Sequence, residues 1–250
     1  MYFEVSKDVF DMLPNAVFGV VAVKNIDNSK VNSEIAEMLS SSIESCQKYF
    51  EESGNKAKND PCVTPYRDAF RLLGINPNRY ACSIEALMDR IAKGKGLPMI
   101  NPAVDLGNAI SLKYRIPIGA HDIDSFIDND GLSRGSEDTG LEVRPACAED
   151  RFRPFGAAED EFDDPELGEV VYVSGHEVRT RRWTWRQSEA GKMTDATNSV
   201  LYPIDGFKDI NYDELLAALD EFKKLLPAFF GNEITVRCGI VDATNTRFEF

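Results

Sequence analysis

Apolar positions in the N-terminal part of the chain follow two patterns, one typical of strands and one typical of helices. Residues 1–5 and the apolar run at residues 16–24 predict strands, the second a buried central strand, and we expect these two strands to pair. Apolar residues at helical spacing predict three helices, at residues 33–50, 64–73 and 83–92. Ser33 and Ser83 directly precede two of these apolar stripes and are therefore the expected N-caps.

A buried helix followed by a polar turn is predicted in the middle of the chain, at residues 101–124. Its apolar residues recur at helical spacing: Ala103, Val104, Leu106, Ala109, Ile110, Leu112 and Tyr114. Asn108 interrupts the apolar face with a side chain that needs hydrogen-bond partners once it is buried. Pro117 is expected to end the helix. We interpret this helix as one wall of a binding pocket.

Beyond this helix the apolar spacing changes to a period near two, which predicts strands. The predicted strands cover residues 122–127, 141–146, 151–155, 169–173, 177–185, 197–204 and 233–240. A hairpin turn is expected at Ser174, Gly175 and His176, and an amphipathic helix at residues 213–229. Helices and strands mixed in this way indicate the α+β class.

Two ordered motifs in the chain resemble those of a known editing module. The first motif, V-D-x-x-N-x-x-x-L-x-x-x-x-P, consists of Val104, Asp105, Asn108, Leu112 and Pro117. The second motif, T-x-x-T-x-x-V-L, consists of Thr194, Thr197, Val200 and Leu201, with Asp195 inside it. Both resemble the B3/4 domain, which is the editing module of the bacterial phenylalanyl-tRNA synthetase beta subunit.

The resemblance covers residues 80–230, with no synthetase attached. It implies mixed β-sheets with packed helices in a single B3/4-like domain at residues 1–250. Residues 1–75 would form an N-terminal strand and helix part, and residues 231–250 a closing strand. The implied activity is hydrolysis of misacylated tRNA in trans, with the aminoacylated acceptor end of tRNA as the partner.

A net charge of −14 limits how this chain can contact nucleic acid. Proteins that hold nucleic acid by its phosphates normally present a basic face, because neutralising phosphates supplies most of the non-specific affinity. We therefore expect no stably bound DNA and only a local, salt-sensitive contact with RNA. Arg182 and Arg186, which flank the tryptophans, are the candidate cations for that contact.

The five cysteines are widely scattered, without a C-x-x-C pair, and neither a signal peptide nor a long apolar run is apparent. These features favour a cytoplasmic protein with free thiols and no membrane contact. The sequence does not indicate the oligomeric state.

Three short motifs have the residue types of reactive or metal-binding sites but the wrong surroundings. Asp128, Asn129, Asp130 and Gly131 lack the first ligand of a calcium loop, where Phe126 stands. The run from Gly131 to Gly135 matches G-x-S-x-G but lies in a polar loop instead of a turn between a strand and a helix. Neither histidine has a second ligand at the spacing of a zinc motif. We therefore expect no metal and no cofactor.

The segment RRWTWRQSE allows two interpretations. Alternation in a strand would place Arg182 and Arg186 on one face, and the other face would carry Trp183, Trp185 and Gln187. Two tryptophans packed into the core explain this pattern without any binding role. Tryptophans beside a buried amide also suit a pocket for an amino-acid side chain or a base, and the resemblance favours this second interpretation.

The chain departs from the family pattern at two positions. Gly119 stands where the module has a histidine, and His121 lies two residues further on. Pro203 stands where the module has a glutamate that recognises the hydroxyl of misloaded tyrosine. The resemblance therefore does not imply specificity for tyrosine. We expect a pocket lined by the two tryptophans and Ile204 to select ligands by size and apolarity.

The residues and the resemblance together predict a trans-acting aminoacyl-tRNA deacylase that positions water and needs no side-chain nucleophile. The residues expected to bind substrate are Asn108, Gly119, His121, Asp122, Trp183, Trp185, Arg186, Gln187, Thr194, Thr197 and Pro203. The alternative is a non-catalytic module that binds RNA, an amino acid or a protein partner. The acidic charge and the two departures from the family pattern favour this alternative.

Overall fold

Two β-sheets and six α-helices occur in the computed structural model, which describes residues 1–128, 130, 131 and 133–250. The strands are β1 (Tyr2–Val5), β2 (Ala16–Lys24), β3 (His121–Asp122), β4 (Gly140–Pro145), β5 (Val170–Ser174), β6 (Glu177–Arg181), β7 (Arg186–Gln187), β8 (Ser199–Phe207), β9 (Thr235–Val241) and β10 (Arg247–Glu249). The helices are α1 (Lys7–Met12), α2 (Ser33–Ser53), α3 (Thr64–Leu72), α4 (Ser83–Ala92), α5 (Pro102–Tyr114) and α6 (Tyr212–Phe230).

The larger sheet is mixed, with strand order β10-β1-β4-β5-β6-β7. Strand β1 runs parallel to β4, whereas β10 pairs with β1 in the antiparallel sense, as do the successive neighbours from β4 to β7. The hairpin between β5 and β6 turns at Gly175 and His176, and Ser174 pairs with Glu177. The α+β class with mixed sheets, predicted from the sequence, is confirmed.

The smaller sheet has the order β3-β8-β2-β9, and its neighbouring strands are antiparallel. All nine residues of β8 are buried, and so are eight of the nine in β2. Such continuous apolar runs are typical of strands covered on both faces. One large cluster of buried apolar residues joins the two sheets, where the rings of Phe3 on β1 and Phe18 on β2 lie 6.0 Å apart.

Several predicted helix ends were wrong by one or two residues. The side chain of Asn32, and not of Ser33, caps α2 by accepting hydrogen bonds from the amides of Glu34 and Ile35. Cys82, and not Ser83, occupies the N-cap position of α4. Helix α5 ends before Pro117, because Arg115 adopts a left-handed conformation with φ of 52°. The side-chain hydrogen bonds of Asn32 and the left-handed conformation of Arg115 therefore set two of these boundaries.

Four strand predictions were also wrong. Strands β1 and β2 do not pair, since they belong to different sheets and α1, which was not predicted, separates them. Only Asp122 of the predicted strand 122–127 lies in a strand, and a 3₁₀ turn at Ile123–Ser125 follows it. Residues 151–155 form only isolated bridges at Arg151 and Pro154. The predicted strand 177–185 is interrupted after Arg181.

None of the helices in the described residues is long and apolar enough to cross a membrane. The calcium and G-x-S-x-G motifs fall partly outside the described residues, at Asn129 and Leu132. Within the described part of that loop, the amide of Ser133 donates to the carboxylate of Asp128 at 3.1 Å.

Candidate functional site

A cavity of about 310 Å³ lies between α4, α5, β8 and the segment that follows β6. Seven of the residues predicted to bind substrate line it: Asn108, Gly119, His121, Trp183, Trp185, Gln187 and Pro203. Both predicted walls, the α5 helix and the tryptophan segment, therefore meet at one cavity. Ile204, which was expected in the pocket lining, does not line the cavity. Asp205, the next residue of β8, does line it.

Helix α5 is held against the sheets by hydrogen bonds at its N-terminal end. The Asn101 side chain caps the helix by accepting from the amide of Val104. The Asn28 side chain accepts from the amide of Ala103 at 2.9 Å, and Tyr202 on β8 donates to the Ala103 carbonyl, also at 2.9 Å. These contacts fix the position of the helix turn that carries Asn108 into the cavity wall.

Asp205 is a deeply buried acidic residue in the lining of the cavity and is only 3% exposed. Its Oδ1 accepts a hydrogen bond from the indole N–H of Trp183 at 2.7 Å and another from the hydroxyl of Tyr172. Among the described residues no side chain or amide donates to Oδ2. Burial raises the pKa of the Asp205 carboxyl to about 7. Asp205 was not among the residues predicted to bind substrate, although an acidic residue in the apolar run SVLYPIDGF indicates a group that needs partners.

A left-handed turn places the two tryptophans differently from the predicted alternating strand. Arg182 and Trp183 have φ values of 48° and 57°, a conformation that residues with a Cβ seldom adopt. The Trp183 amide donates to the carbonyl of Val170 at 2.7 Å, and its side chain is fully buried. Trp185 remains half-buried at the cavity rim. The turn therefore separates a floor tryptophan from a rim tryptophan.

His121 lies in the cavity wall and is 2% exposed. Its ring stacks on Tyr172, with centroids 5.8 Å apart and planes at 18°. Its Nδ1 makes no hydrogen bond within the described residues. Burial, together with the positive charge of Arg179, lowers the pKa of His121 to about 3. The imidazole is therefore neutral at physiological pH.

Gly119 provides the space that His121 occupies. A Cβ at position 119 would lie 3.1 Å from Nε2 of His121 and 3.2 Å from Cγ of Pro203, closer than Cβ atoms usually approach their neighbours. Side chains at both 119 and 121 would therefore crowd this wall. The glycine at position 119 therefore accommodates the ring of His121.

Asn108 and Gln187 lie at the half-buried rim of the cavity. The Gln187 side chain donates to the carbonyl of Ala120 at 2.7 Å, which ties the tryptophan segment to the segment that precedes β3. The Asn108 side chain makes no hydrogen bond to any described residue, so its amide group is available to a ligand. Pro203 lies next to Gly119 in the same wall, and the Gly119 amide donates to the Pro203 carbonyl at 3.0 Å.

Four residues of the predicted site do not line the cavity: Asp122, Arg186, Thr194 and Thr197. Thr197 donates to the Asp122 carboxylate at 2.8 Å and accepts from the Thr194 amide at 3.0 Å. These three residues connect β3 to the segment before β8. A role for them in binding substrate remains a prediction, as it does for the exposed Arg186.

Arginine and aromatic side chains form a cluster beside the cavity rim, in which the planes of Tyr80 and Trp185 meet at 70°. The rings of Tyr80 and Trp185 lie 4.7 Å apart, and the Arg182 guanidinium lies over both, at 3.9 and 4.7 Å. Arg182 also pairs with the buried carboxylate of Glu169 at 3.5 Å. Arg186 lies 5.8 Å from the Trp185 ring and has no ion pair with a described residue. Of the two predicted cations, only Arg186 is therefore free to meet a phosphate.

Comparison with known proteins adds a family match. The model of the family described as the B3/4 domain matches residues 65–229. A similar solved structure is the N-terminal fragment of the phenylalanyl-tRNA synthetase beta-subunit from Pyrococcus horikoshii, with 12% identity and a TM-score of 0.46. The match covers 93% of this chain and 49% of that one, so this chain spans about half the length of the fragment. No curated protein matches the chain.

Proposed function

This chain belongs to the B3/4 domain family, and we propose that it hydrolyses the ester bond of misacylated tRNA in trans. The observation that carries this proposal is the cavity of about 310 Å³, whose rim carries the amide of Asn108 and whose floor carries the carboxylate of Asp205. This arrangement offers one place for an amino-acid side chain and another, nearer to solvent, for the ester.

The floor is suited to recognition of the amino-acid side chain. Trp183 and Tyr172 provide aromatic walls and hold Oδ1 of Asp205, which leaves Oδ2 for a ligand. When Asp205 is ionised, above its pKa of about 7, Oδ2 is a buried acceptor that favours a ligand donating a hydrogen bond to it, because an apolar ligand would leave it unpaired. Asp205 can therefore accept a hydrogen bond from a ligand side chain, which Pro203 cannot do. We therefore expect the cavity to select ligands by this hydrogen bond as well as by size.

The rim is suited to the reaction. An aminoacyl ester is already activated toward water, so an enzyme gains rate by orienting the ester and binding the charge that develops on its carbonyl. The Asn108 side chain is half-buried and has no hydrogen-bond partner among the described residues, and its N–H groups can donate to that oxygen or to the attacking water. His121 is neutral and is a weak base at its lowered pKa, so we assign it to the wall and not to proton transfer.

The acceptor end of the tRNA would lie along the arginine and aromatic side chains next to the rim. Single-stranded nucleotides bind proteins by stacking their bases on aromatic rings, with cations against the phosphates. Tyr80 and Trp185 supply the rings, and Arg186 supplies an exposed cation. With a net charge of −14 on the chain, contact beyond the last nucleotides would be repulsive.

The test is release of the amino acid from a panel of misacylated tRNAs. The wild-type protein and Asn108→Ala are incubated with each labelled ester, and free amino acid is measured over time against a control without protein. We expect the wild type to accelerate release from at least one ester, and Asn108→Ala to retain less than a tenth of that acceleration.

A second candidate function is a module that binds an amino acid or a nucleoside without turning it over. The net charge of −14 favours this candidate, since it opposes association with a whole tRNA. The same panel separates the two functions. A protein that protects one ester, or binds the free amino acid without releasing it from tRNA, is the binding module.

A further inference from the structure

We propose that Cys147, Asp150 and His176 form a binding site for a zinc ion, separate from the cavity. The Sγ of Cys147, a carboxylate oxygen of Asp150 and a ring nitrogen of His176 all lie within 4.8 Å of one another. Cys147 follows the end of β4, and His176 lies in the turn between β5 and β6. The fold therefore brings together ligands that lie too far apart in the sequence to form a recognisable zinc motif.

The distances between the ligand atoms suit a tetrahedral zinc site. With zinc bonds of about 2.0 to 2.3 Å, a sulfur and a nitrogen ligand lie roughly 3.6 Å apart, and a nitrogen and an oxygen ligand roughly 3.3 Å apart. The Sγ of Cys147 is 3.7 Å from Nδ1 of His176, and that nitrogen is 3.0 Å from Oδ1 of Asp150. Binding of an ion therefore requires Nδ1 of His176 and Oδ1 of Asp150 to move apart by a few tenths of an ångström.

The Asp150 carboxylate is already oriented by its neighbours. Arg144 binds both of its oxygens, at 2.7 and 2.9 Å, and the Cys147 amide donates to Oδ2 at 2.9 Å. Hydrogen bonds of this kind hold the ligands of metal sites in place. The Arg144 guanidinium also lies 3.9 Å from Sγ of Cys147 and repels a cation, so the affinity should be lower than that of a site with four cysteines.

A fourth ligand is available at the open side of the cluster. The carboxylate of the exposed Glu149 lies beside the Cys147 thiol, and the His176 side chain is 40% exposed. An ion can therefore reach the cluster from solvent and can complete its coordination with Glu149 or water. The site joins the end of β4 to the hairpin of β5 and β6, which suits a structural ion.

The arrangement does not suit a cysteine nucleophile activated by a histidine. In such a cysteine–histidine pair, one ring nitrogen of the histidine faces the sulfur and the other ring nitrogen faces the carboxylate. Here the same atom, Nδ1 of His176, is the one that faces both Cys147 and Asp150. Metal binding is therefore the better interpretation of this cluster.

The experiment is titration of metal-free, full-length protein with Zn²⁺ by calorimetry, and with Co²⁺ by absorption, since Co²⁺ reports coordination by a thiolate. The variants are Cys147→Ser and His176→Gln, with Cys62→Ser, at another half-buried cysteine, as the matched control. Circular dichroism establishes that each variant is folded.

We expect one equivalent of each metal to bind to the wild type and to Cys62→Ser. Affinity should fall at least tenfold in His176→Gln, and the thiolate band should be lost in Cys147→Ser. Absence of stoichiometric binding to the wild type would overturn the proposal. So would binding that Cys147→Ser leaves unchanged.

Discussion

The indole N–H of Trp183 donates to Oδ1 of Asp205 across 2.7 Å, at the floor of the cavity. Tyr172 donates to the same oxygen, and its ring stacks on His121. The two titratable side chains, Asp205 and His121, therefore both contact the buried side chain of Tyr172. Burial disfavours the charged form of each, so it raises the pKa of the acid and lowers the pKa of the base.

We predict that Asp205 and His121 make the stability of the protein depend on pH with opposite signs. The pKa of Asp205 rises from 3.8 to about 7 on folding, so its contribution to stability is lost as the pH rises from about 4 through 7. The pKa of His121 falls from 6.5 to about 3, so its contribution is lost as the pH falls from about 6.5 toward 3. Between about pH 4 and pH 6.5 the two effects oppose each other.

Single substitutions separate these two effects. Relative to wild type, the free energy of unfolding of Asp205→Asn should rise with pH across this window, and that of His121→Gln should fall. Each unit of pKa shift corresponds to about 1.4 kcal/mol, which limits either change to a few kcal/mol. Urea unfolding from about pH 4.5 to 7.5 measures both. Parallel pH profiles for the three proteins would contradict the assignment.

A second prediction concerns ligand selection by Asp205. The substitution Asp205→Asn preserves shape and can keep the bonds from Trp183 and Tyr172, but above about pH 7, where Asp205 is ionised, it replaces a free acceptor with a donor. A ligand side chain with a hydroxyl should therefore lose its advantage over the analogue without it by about 10- to 100-fold, the equivalent of one hydrogen bond to a charged group. Competition between tyrosine and phenylalanine analogues measures this preference. An equal preference in wild type and variant would remove Asp205 from recognition.

A third prediction compares two asparagines near helix α5. The Asn108 side chain is half-buried and makes no hydrogen bond to a described residue, so Asn108→Ala should change the free energy of unfolding by no more than about 0.5 kcal/mol. Asn28 is 2% exposed and bonds both the Ala103 amide and the Thr194 carbonyl. Asn28→Ala should therefore cost about 1 to 3 kcal/mol.

Ligand binding should show the reverse order. Asn108→Ala should weaken binding or deacylation more than Asn28→Ala does, because Asn28 acts on the cavity only through the position of helix α5. Denaturant titration and binding at a temperature where both variants are folded give the comparison. Full activity of Asn108→Ala would show that this side chain does not contact the ligand.

A fourth prediction concerns Arg186 and the contact with RNA. Arg186→Glu should weaken tRNA association and reduce the slope of log affinity against log salt by roughly one, because one phosphate contact is lost. Arg237→Glu is the matched control, since Arg237 is equally exposed but lies on β9, at the far edge of the smaller sheet. Arg182 is unsuitable for this test, because it pairs with Glu169. Equal effects of the two substitutions would indicate a general charge effect.

The sequence predicted the long elements of the fold well. Strands β2 and β8 are identified by long continuous apolar runs, and helices α2 and α6 by apolar stripes at helical spacing, because each pattern extends over many residues. Strand pairing was not predictable, since the pairing of β1 with β4 depends on contacts more than a hundred residues apart. The short strand β10 has too few residues for a pattern.

The candidate site was predictable where the resemblance and the residue pattern agreed, as at Asn108 and Trp183. Asp205 was missed because its partners, Tyr172 and Trp183, come from other parts of the chain. The left-handed turn at Arg182 was missed because neither residue of the turn is a glycine. Cys147 and His176 meet only through the pairing of β4 with β5, which spacing along the sequence does not reveal.

The most direct measurement is the single-turnover rate of amino-acid release from a misacylated tRNA, with protein in excess. The account predicts release that saturates with protein concentration, falls more than tenfold in Asn108→Ala and is unchanged in Arg237→Glu. Release no faster than the uncatalysed reaction for every amino acid and tRNA tested would contradict the account and would leave the chain as a binding module.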